Sequence, residues 1–422
     1  MAEFTLECYQ NEFLPEGGTT MHAIVTVQAD ATGGAAGGAE PTAGSRAEVI
    51  MVDTSGSMAG GRLREAKNAT AAAIDAMPDG VRFGIIKGNH QALWAFPSAG
   101  GLAVASVHTR AEAKQAVKRL DPGGGTAIGT WIALAAQTLR TEPGIKHAIL
   151  LTDGKNEAES PQALAEVVGQ AEGIFQCDCR GVGADWAVAE LRGIANALVG
   201  TVDIVADPAG LSADFTSMLA DALSRQLGEV RLRIWAPQGA EILMLKQMDP
   251  LLDLTNLRIK VNDLTGEYAT GSWGDESRDY HLSVRIPAGD VGEEMLAARV
   301  TLMVGEEAAG QALVRAEWTE DVAKSTKINR RVAEAMGDAE LADAIQEGID
   351  ALRSGDVETA TGRFSRAANL ADEQGNEAAL ERLESVVDRD PVTGRVNLKP
   401  QRDDMDVMIL ETRSTRTTRR RT

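Results

Sequence analysis

A chain of 422 residues is long enough for two or three domains, and its 44% hydrophobic content is that of a protein folded over most of its length. A formal charge of −20 argues against nonspecific binding of nucleic acid or an anionic membrane by the body of the molecule. No apolar run reaches the roughly 18 residues of a spanning helix, and aromatics are only 4%, so the cores must be built from Ala, Val, Leu and Ile.

The stretch Met1–Glu7 has no basic segment and no long apolar run, so no secretory signal is expected. Phe4, Leu6 and Cys8 alternate with Thr5 and Glu7, and a second alternating run spans Met21–Val27. Two strands cannot make a stable domain alone, so residues 1–29 are expected to complete a sheet formed later in the chain. The Gly/Ala-rich stretch 30–46 reads as a mobile connector, and its Gly33–Gly38 lacks the Lys-Ser/Thr ending of a phosphate loop.

Residues 47–226 alternate strand and helix. Ala47–Val52 is a short apolar strand, and a helix from about Arg62 to Met77 carries Leu63, Ala66, Ala73, Ile74 and Met77 on one face. Val81–Lys87 and Ala92–Phe96 read as a strand pair around a turn at Gly88-Asn89. Helices fit Arg110–Leu120, Ile128–Arg140, Pro161–Ala171, Val188–Ala197 and Ala213–Ser224, between strands His147–Leu151, Ile174–Arg180 and Val202–Val205. This is the rhythm of a doubly wound, mostly parallel α/β sheet, whose ligands bind at the carboxyl ends of the strands. Cys177 and Cys179 fall on one face of an expected strand, poor geometry for a disulfide. With an odd count of three, the cysteines read as reduced thiols and the setting as cytoplasmic.

Over 227–320 the rhythm changes to period two. Val230, Leu232 and Ile234, then Leu257, Ile259 and Val261, then Tyr280, Leu282, Val284 and Ile286 alternate with polar residues. An antiparallel β-sandwich is expected, with the α/β domain inserted between its strands. Residues 321–388 read as a helical hairpin: Leu341, Ile345, Ile349 and Leu352 mark one face, and Val357, Ala360, Phe364, Ala367 and Ala371 the next, across Gly355-Asp356. One such pair loosely resembles a tetratricopeptide unit, but a packing or dimerisation element is the plainer reading. The polar residues 389–422 are expected to be a disordered Arg/Thr-rich tail.

Three separated pieces of the α/β region carry the chemistry. Asp53, Ser55 and Ser57 follow the first strand, Thr126 follows Gly123–Gly125, and Asp153 follows the strand ending Leu151-Thr152. Taken singly, the first three could cap a helix and the other two could be turn residues. Taken together and in this strand order, they resemble the von Willebrand factor type A domain and its metal-ion-dependent adhesion site. Asp53, Ser55 and Ser57 match the DxSxS element, Thr126 the separate threonine and Asp153 the final aspartate. Arg180-Gly181-Val182-Gly183 and Glu190–Ala195 also look like that family's fifth strand and following helix. Ala127 departs from the polar residue many members carry, but all five ligand positions are intact.

The resemblance implies an α/β domain over about residues 47–226 that binds Mg²⁺, with Mn²⁺ or Ca²⁺ as alternatives. Ser55, Ser57 and often Thr126 would touch the ion, and Asp53 and Asp153 would act largely through water. Neutral direct ligands leave the cation's charge partly unbalanced, so an open position attracts an Asp or Glu carboxylate of a partner protein. The expectation is therefore a non-enzymatic adaptor. Bacterial relatives commonly serve ATPases, phosphatases or kinases, which the resemblance implies as partner classes.

The residues also bear on two other functions. A serine hydrolase needs a base near Ser55 or Ser57. His22, His90, His108, His147 and His281 lack zinc-ligand spacing and read as surface or boundary residues, and no G-x-S-x-G elbow is present. A scaffold regulated by phosphorylation at Thr412, Thr415, Thr417 or Thr418 could be read by phosphothreonine-binding domains. The basic tail is also the one segment suited to nucleic acid.

Overall fold

The computed structural model describes residues 3–30, 46–390 and 396–414. Two compact units form: Asp30–Val230 with Ala269–Asp275, and Glu3–Ala29 with Arg231–Tyr268 and the chain from Glu276 onward. Three strands open the chain, β1 (Glu3–Gln10), β2 (Phe13–Pro15) and β3 (Thr20–Asp30). The connector after Asp30, with Gly33–Gly38, lies outside the described residues.

The first unit begins with β4 (Arg46–Asp53), α1 (Gly61–Ala76), β5 (Arg82–Gly88), β6 (Ala92–Phe96) and β7 (Ala103–Val104). It continues through α2 (Val107–Lys118), α3 (Ile128–Leu139), β8 (Ile145–Thr152), α4 (Pro161–Ala171), β9 (Gln176–Val182), α5 (Val188–Ala197), β10 (Val202–Val205) and α6 (Leu211–Ser224). Its sheet runs β10-β9-β8-β4-β5-β6, with β7 also on β5. The first five of these are mutually parallel, and β6 and β7 join antiparallel. Every residue of β4 is buried, because helices cover both faces of a central parallel strand and leave no polar side. Ile50 sits opposite both Ile85 and Ile149, at the middle of that core.

The strand order sets where a ligand can sit. From β4 the chain first builds outward on one side through β5, then returns to the other side through β8, β9 and β10. The connections after β4 and β8 therefore diverge, opening a crevice at their carboxyl ends. Asp53 ends β4 and Asp153 directly follows β8. At the opposite end of the same strands, His147 is buried, its two ring nitrogens donating to Glu48 (2.8 Å) and Asp178 (3.0 Å). His281 is buried as well, with His22 3.2 Å away. The expectation that the histidines lie at the surface or boundary fails for these two because each finds polar partners on neighbouring strands.

The second unit adds β11 (Val230–Trp235), β12 (Glu241–Met248), β13 (Leu251–Asp253), β14 (Ile259–Asn262), β15 (Thr265–Ala269), β16 (Glu276–Arg285), β17 (Glu294–Val304) and β18 (Glu307–Thr319). Two sheets result, β1-β3-β16-β12-β13 and β14-β15-β11-β17-β18-β2. β3 pairs antiparallel with β16 over ten residue pairs, Thr20↔Arg285 through Ala29↔Glu276. β2, unforeseen in the sequence, pairs with β18 in parallel. In β11 the alternation is literal: Val230, Leu232 and Ile234 are buried, while Arg231 and Arg233 reach Glu267 at 3.0 and 2.7 Å. The alternation of Ile259 and Val261 does not mark a buried face. β14 is an edge strand exposed along its whole length.

Helices α7 (Val322–Ser325), α8 (Arg330–Arg353), α9 (Val357–Glu373) and α10 (Glu377–Val386) follow, then β19 (Val387–Arg389), β20 (Val396–Leu398) and α11 (Asp404–Arg413). The expected hairpin is α8 and α9, joined at Gly355, whose φ of +81° suits a residue without a Cβ. α10 extends it to a third helix. The expected disordered tail is corrected over 396–414: β20 pairs with β19, and Leu410 of α11 joins the core of Phe364, Ile349 and Leu383. Polarity misleads there because Glu411, almost fully buried, is held by both guanidinium nitrogens of Arg353 at 3.0 and 2.6 Å. Thr412 is buried too, whereas Thr415, Thr417 and Thr418 lie outside the described residues.

Cys8, Cys177 and Cys179 carry free thiols, the latter two buried. Among the described residues no helix is long and apolar enough to cross a membrane.

Candidate metal centre

The turn after β4 delivers Asp53, Ser55 and Ser57 to the crevice. It is fixed from below, where Thr54 bonds the Gly88 carbonyl through its backbone N–H (2.6 Å) and its hydroxyl (3.0 Å). Gly88 must be glycine, since a Cβ there would come within 2.2 Å of the Trp131 ring. Beside it, the Gly56 N–H donates to the Gly124 carbonyl (2.9 Å) and the Gly123 N–H to the Thr54 carbonyl (2.8 Å). These two bonds dock the triple-glycine loop, and with it Thr126, against the DxSxS turn.

The loop after β8 closes the third side. Asn156 Oδ1 accepts from the Ile128 N–H (2.8 Å) and Glu159 Oε1 from the Gly129 N–H (2.6 Å), filling the bare amino end of α3. The Ala158 N–H donates to the Thr126 carbonyl (2.9 Å). Thr126 and Asp153 are thereby carried by segments bonded to one another.

Four of the five residues form a continuous hydrogen-bond chain or touch it. The Ser55 and Ser57 hydroxyl oxygens lie 2.9 Å apart, and Ser57 donates to Asp153 Oδ1 at 2.7 Å. Asp53 Oδ1 accepts from the Ser55 N–H (2.7 Å), and its Oδ2 accepts from Thr152 (2.5 Å). The fifth arrives across Gly154: a Cβ there would stand 3.2 Å from Ser57 Oγ and 3.5 Å from Thr126 Oγ1. No side-chain oxygen of Ser55 caps the short turn that follows it, and α1 begins after Gly60 without a side-chain cap. The helix-capping alternative thus has no hydrogen bond to support it.

This donor set fits a small hard dication. Adjacent oxygens around an ion with ligands at about 2.0–2.1 Å are separated by about 2.9 Å, the spacing found between the Ser55 and Ser57 hydroxyls. Three neutral hydroxyls are backed by two carboxylates, Asp53 and Asp153, both wholly withdrawn from solvent. Burial pushes the Asp53 carboxyl above its ordinary range; hydrogen bonds from Ser55 and Thr152 pull it back, and the Asp153 charge adds to the rise. Such a pair favours a nearby cation.

One cation is already there, and the motif did not reveal it. Arg62 in the first turn of α1 donates to Asp153 Oδ2 at 2.8 Å and to Asp185 Oδ2 at 2.7 Å. A positive side chain at a helix amino end opposes the helix dipole, so Arg62 was the available signal that a carboxylate waits nearby. Thr152, Asn156 and Glu159 were also unforeseen, since their roles depend on loop contacts distant in sequence. Neither Ser55 nor Ser57 is bonded to a histidine among the described residues.

Residues 48–204 match the family model of the von Willebrand factor type A domain, and residues 369–414 match that of the von Willebrand factor type A C-terminal domain. The second match runs from the end of α9 and includes the folded segment 396–414 that was expected to be a tail. An uncharacterized protein of Synechocystis sp. is 26% identical over 213 residues, 49% of each chain, so this chain spans about half the length of the curated relative it matches. The crystal structure of the ArnB paralog VWA2 from Sulfolobus acidocaldarius, 14% identical, shares the fold with a TM-score of 0.61 over 98% of both chains. The structure of the von Willebrand factor type A protein from Catenulispora acidiphila is 45% identical, covers 99% of this chain and 97% of its own, and superposes with a TM-score of 0.93. Identity at that level over nearly the whole of both chains makes this protein a member of the von Willebrand factor type A family.

Proposed function

We propose that this protein is a non-enzymatic, divalent-metal-dependent adaptor that captures an Asp or Glu carboxylate of a partner protein. Domains of this family commonly mediate metal-dependent protein interactions. The observation that carries the reading is the convergence of the Ser55, Ser57 and Thr126 hydroxyls beside Asp53 and Asp153 at the strand-order switch. Ser55, Ser57 and Thr126 would hold Mg²⁺ directly, and Asp53 and Asp153 would hold it through water. When bound, the ion supplies a positive charge not fully offset by neutral ligands, which is what an incoming carboxylate needs. Ser57 is exposed while Ser55 and Asp153 are buried, so the cluster opens to solvent on the Ser57 side.

The same hydrogen bonds speak against a nucleophilic serine. The Ser57 proton points to a carboxylate that is itself engaged by Arg62, and both ring nitrogens of His147 are taken by Glu48 and Asp178. Kinases, phosphatases, ATPases and phosphothreonine-binding proteins are the partner classes we favour. Three free thiols, two of them in the core, suit a reducing cytoplasm.

Affinity capture from native lysate tests the reading. Wild-type protein in Mg²⁺ is expected to retain a partner that EDTA releases and that Asp53→Ala and Thr126→Ala fail to retain. Retention indifferent to chelator and to both substitutions would remove the adaptor role of this site.

A further inference from the structure

We propose that Arg62 is a resident counter-cation of the centre, which loosens its grip on the divalent ion so that the loaded site keeps a net positive charge. This inference rests on the metal reading above and adds a residue that the adhesion motif does not contain.

The geometry is specific. Asp153 presents one oxygen to Ser57 and the other to Arg62, so its carboxylate is shared between the hydroxyl cluster and the guanidinium. The second guanidinium nitrogen is held by Asp185 in the loop between β9 and α5. That loop lies against the guanidinium: a Cβ at Gly183 would stand 3.5 Å from Arg62 Nη2. Arg62 is two-thirds withdrawn from solvent and Asp153 wholly so, whereas Asp185 is 65% exposed and its pairing with Arg62 is weakened by water.

Charge counting follows from those exposures. Asp53 and Asp153 bring two buried negative charges, and a divalent ion alone would cancel them. With Arg62 added, the withdrawn groups of the loaded centre carry one surplus positive charge, offset in part by the exposed Asp185. The repulsion between guanidinium and ion, at partial burial, lowers ion affinity. The surplus charge then attracts an anion such as a partner carboxylate. Asp185 restrains this effect by pairing its own carboxylate with the second guanidinium nitrogen.

The test is calorimetric titration of the full chain with Mn²⁺ alone, backed by circular dichroism and thermal unfolding of each variant. Arg62→Gln is expected to bind Mn²⁺ roughly tenfold more tightly than wild type, from the loss of the like charge. Arg62→Lys, which keeps the charge, is expected to stay within about threefold of wild type. Asp185→Asn, at an exposed position, is expected to bind more weakly, because Arg62 then leans wholly on Asp153. A folded Arg62→Gln that binds no more tightly, or an Asp185→Asn that binds as well as wild type, would overturn the role of Arg62 while leaving the metal reading standing. Wild-type protein that takes up no more Mn²⁺ than Asp53→Ala would take down the metal reading and this inference together.

Discussion

Both ring nitrogens of His147 face carboxylates, Glu48 and Asp178, and the ring is buried within the sheet. Burial works against the imidazolium, but the Glu48 charge and the bonds to both acids outweigh it and raise the group from 6.5 to about 9. Burial likewise opposes the Asp178 carboxylate, yet His147 and Arg180 hold it well below the ordinary range. The raised histidine contributes stability that is complete below about pH 6.5 and is lost as pH climbs through about 9. The depressed aspartate contributes stability that is present at neutral pH and lost on acidification below its unfolded value. Unfolding free energy is therefore expected to be greatest at about pH 5–6.5 and to fall on either side. His147→Ala is expected to cost about 3–5 kcal/mol, because it strands two buried carboxylates, and to flatten the alkaline limb of that profile. Denaturant titrations across pH check both; a variant as stable as wild type at pH 6 would show that the triad contributes nothing.

At the scale of elements, legibility depended on whether burial came from a local pattern or a distant partner. The alternation over 47–226 yields helices such as Pro161–Ala171 and Val188–Ala197 at their true bounds, because apolar periodicity marks both and Ser160-Pro161 also signals the start of the first. The five motif residues were legible from a different local signal, each sitting at a strand end or beside glycines. Arg62 was not, since its partners lie 91 and 123 residues away. α11 was not, since its burial depends on Glu411 meeting Arg353 across 58 residues. β14 erred the other way, its apolar alternation lying on an exposed edge. The integration of α11 into the helical core has a measurable consequence. Leu410→Ala, removing a 1% exposed side chain from that cluster, is expected to cost about 2–5 kcal/mol in chemical denaturation. A cost near zero would return the segment to the status of a tail.

The molecule as a whole carries a formal charge of −20, so it gathers divalent cations from solution without any site. Bulk measures of metal uptake or stabilisation therefore mix that atmosphere with the centre proposed between β4 and β8. The strand order resolves the ambiguity in space, because it switches direction between β4 and β8, and Asp53, Ser55, Ser57, Thr126 and Asp153 meet at the crevice there. Crystals grown with Mn²⁺ and measured for anomalous scattering locate the ion directly. The expected result is a single strong peak among the Ser55, Ser57 and Thr126 hydroxyls, absent from Asp53→Ala crystals. Peaks scattered over surface carboxylates, with none between those hydroxyls, would contradict the account.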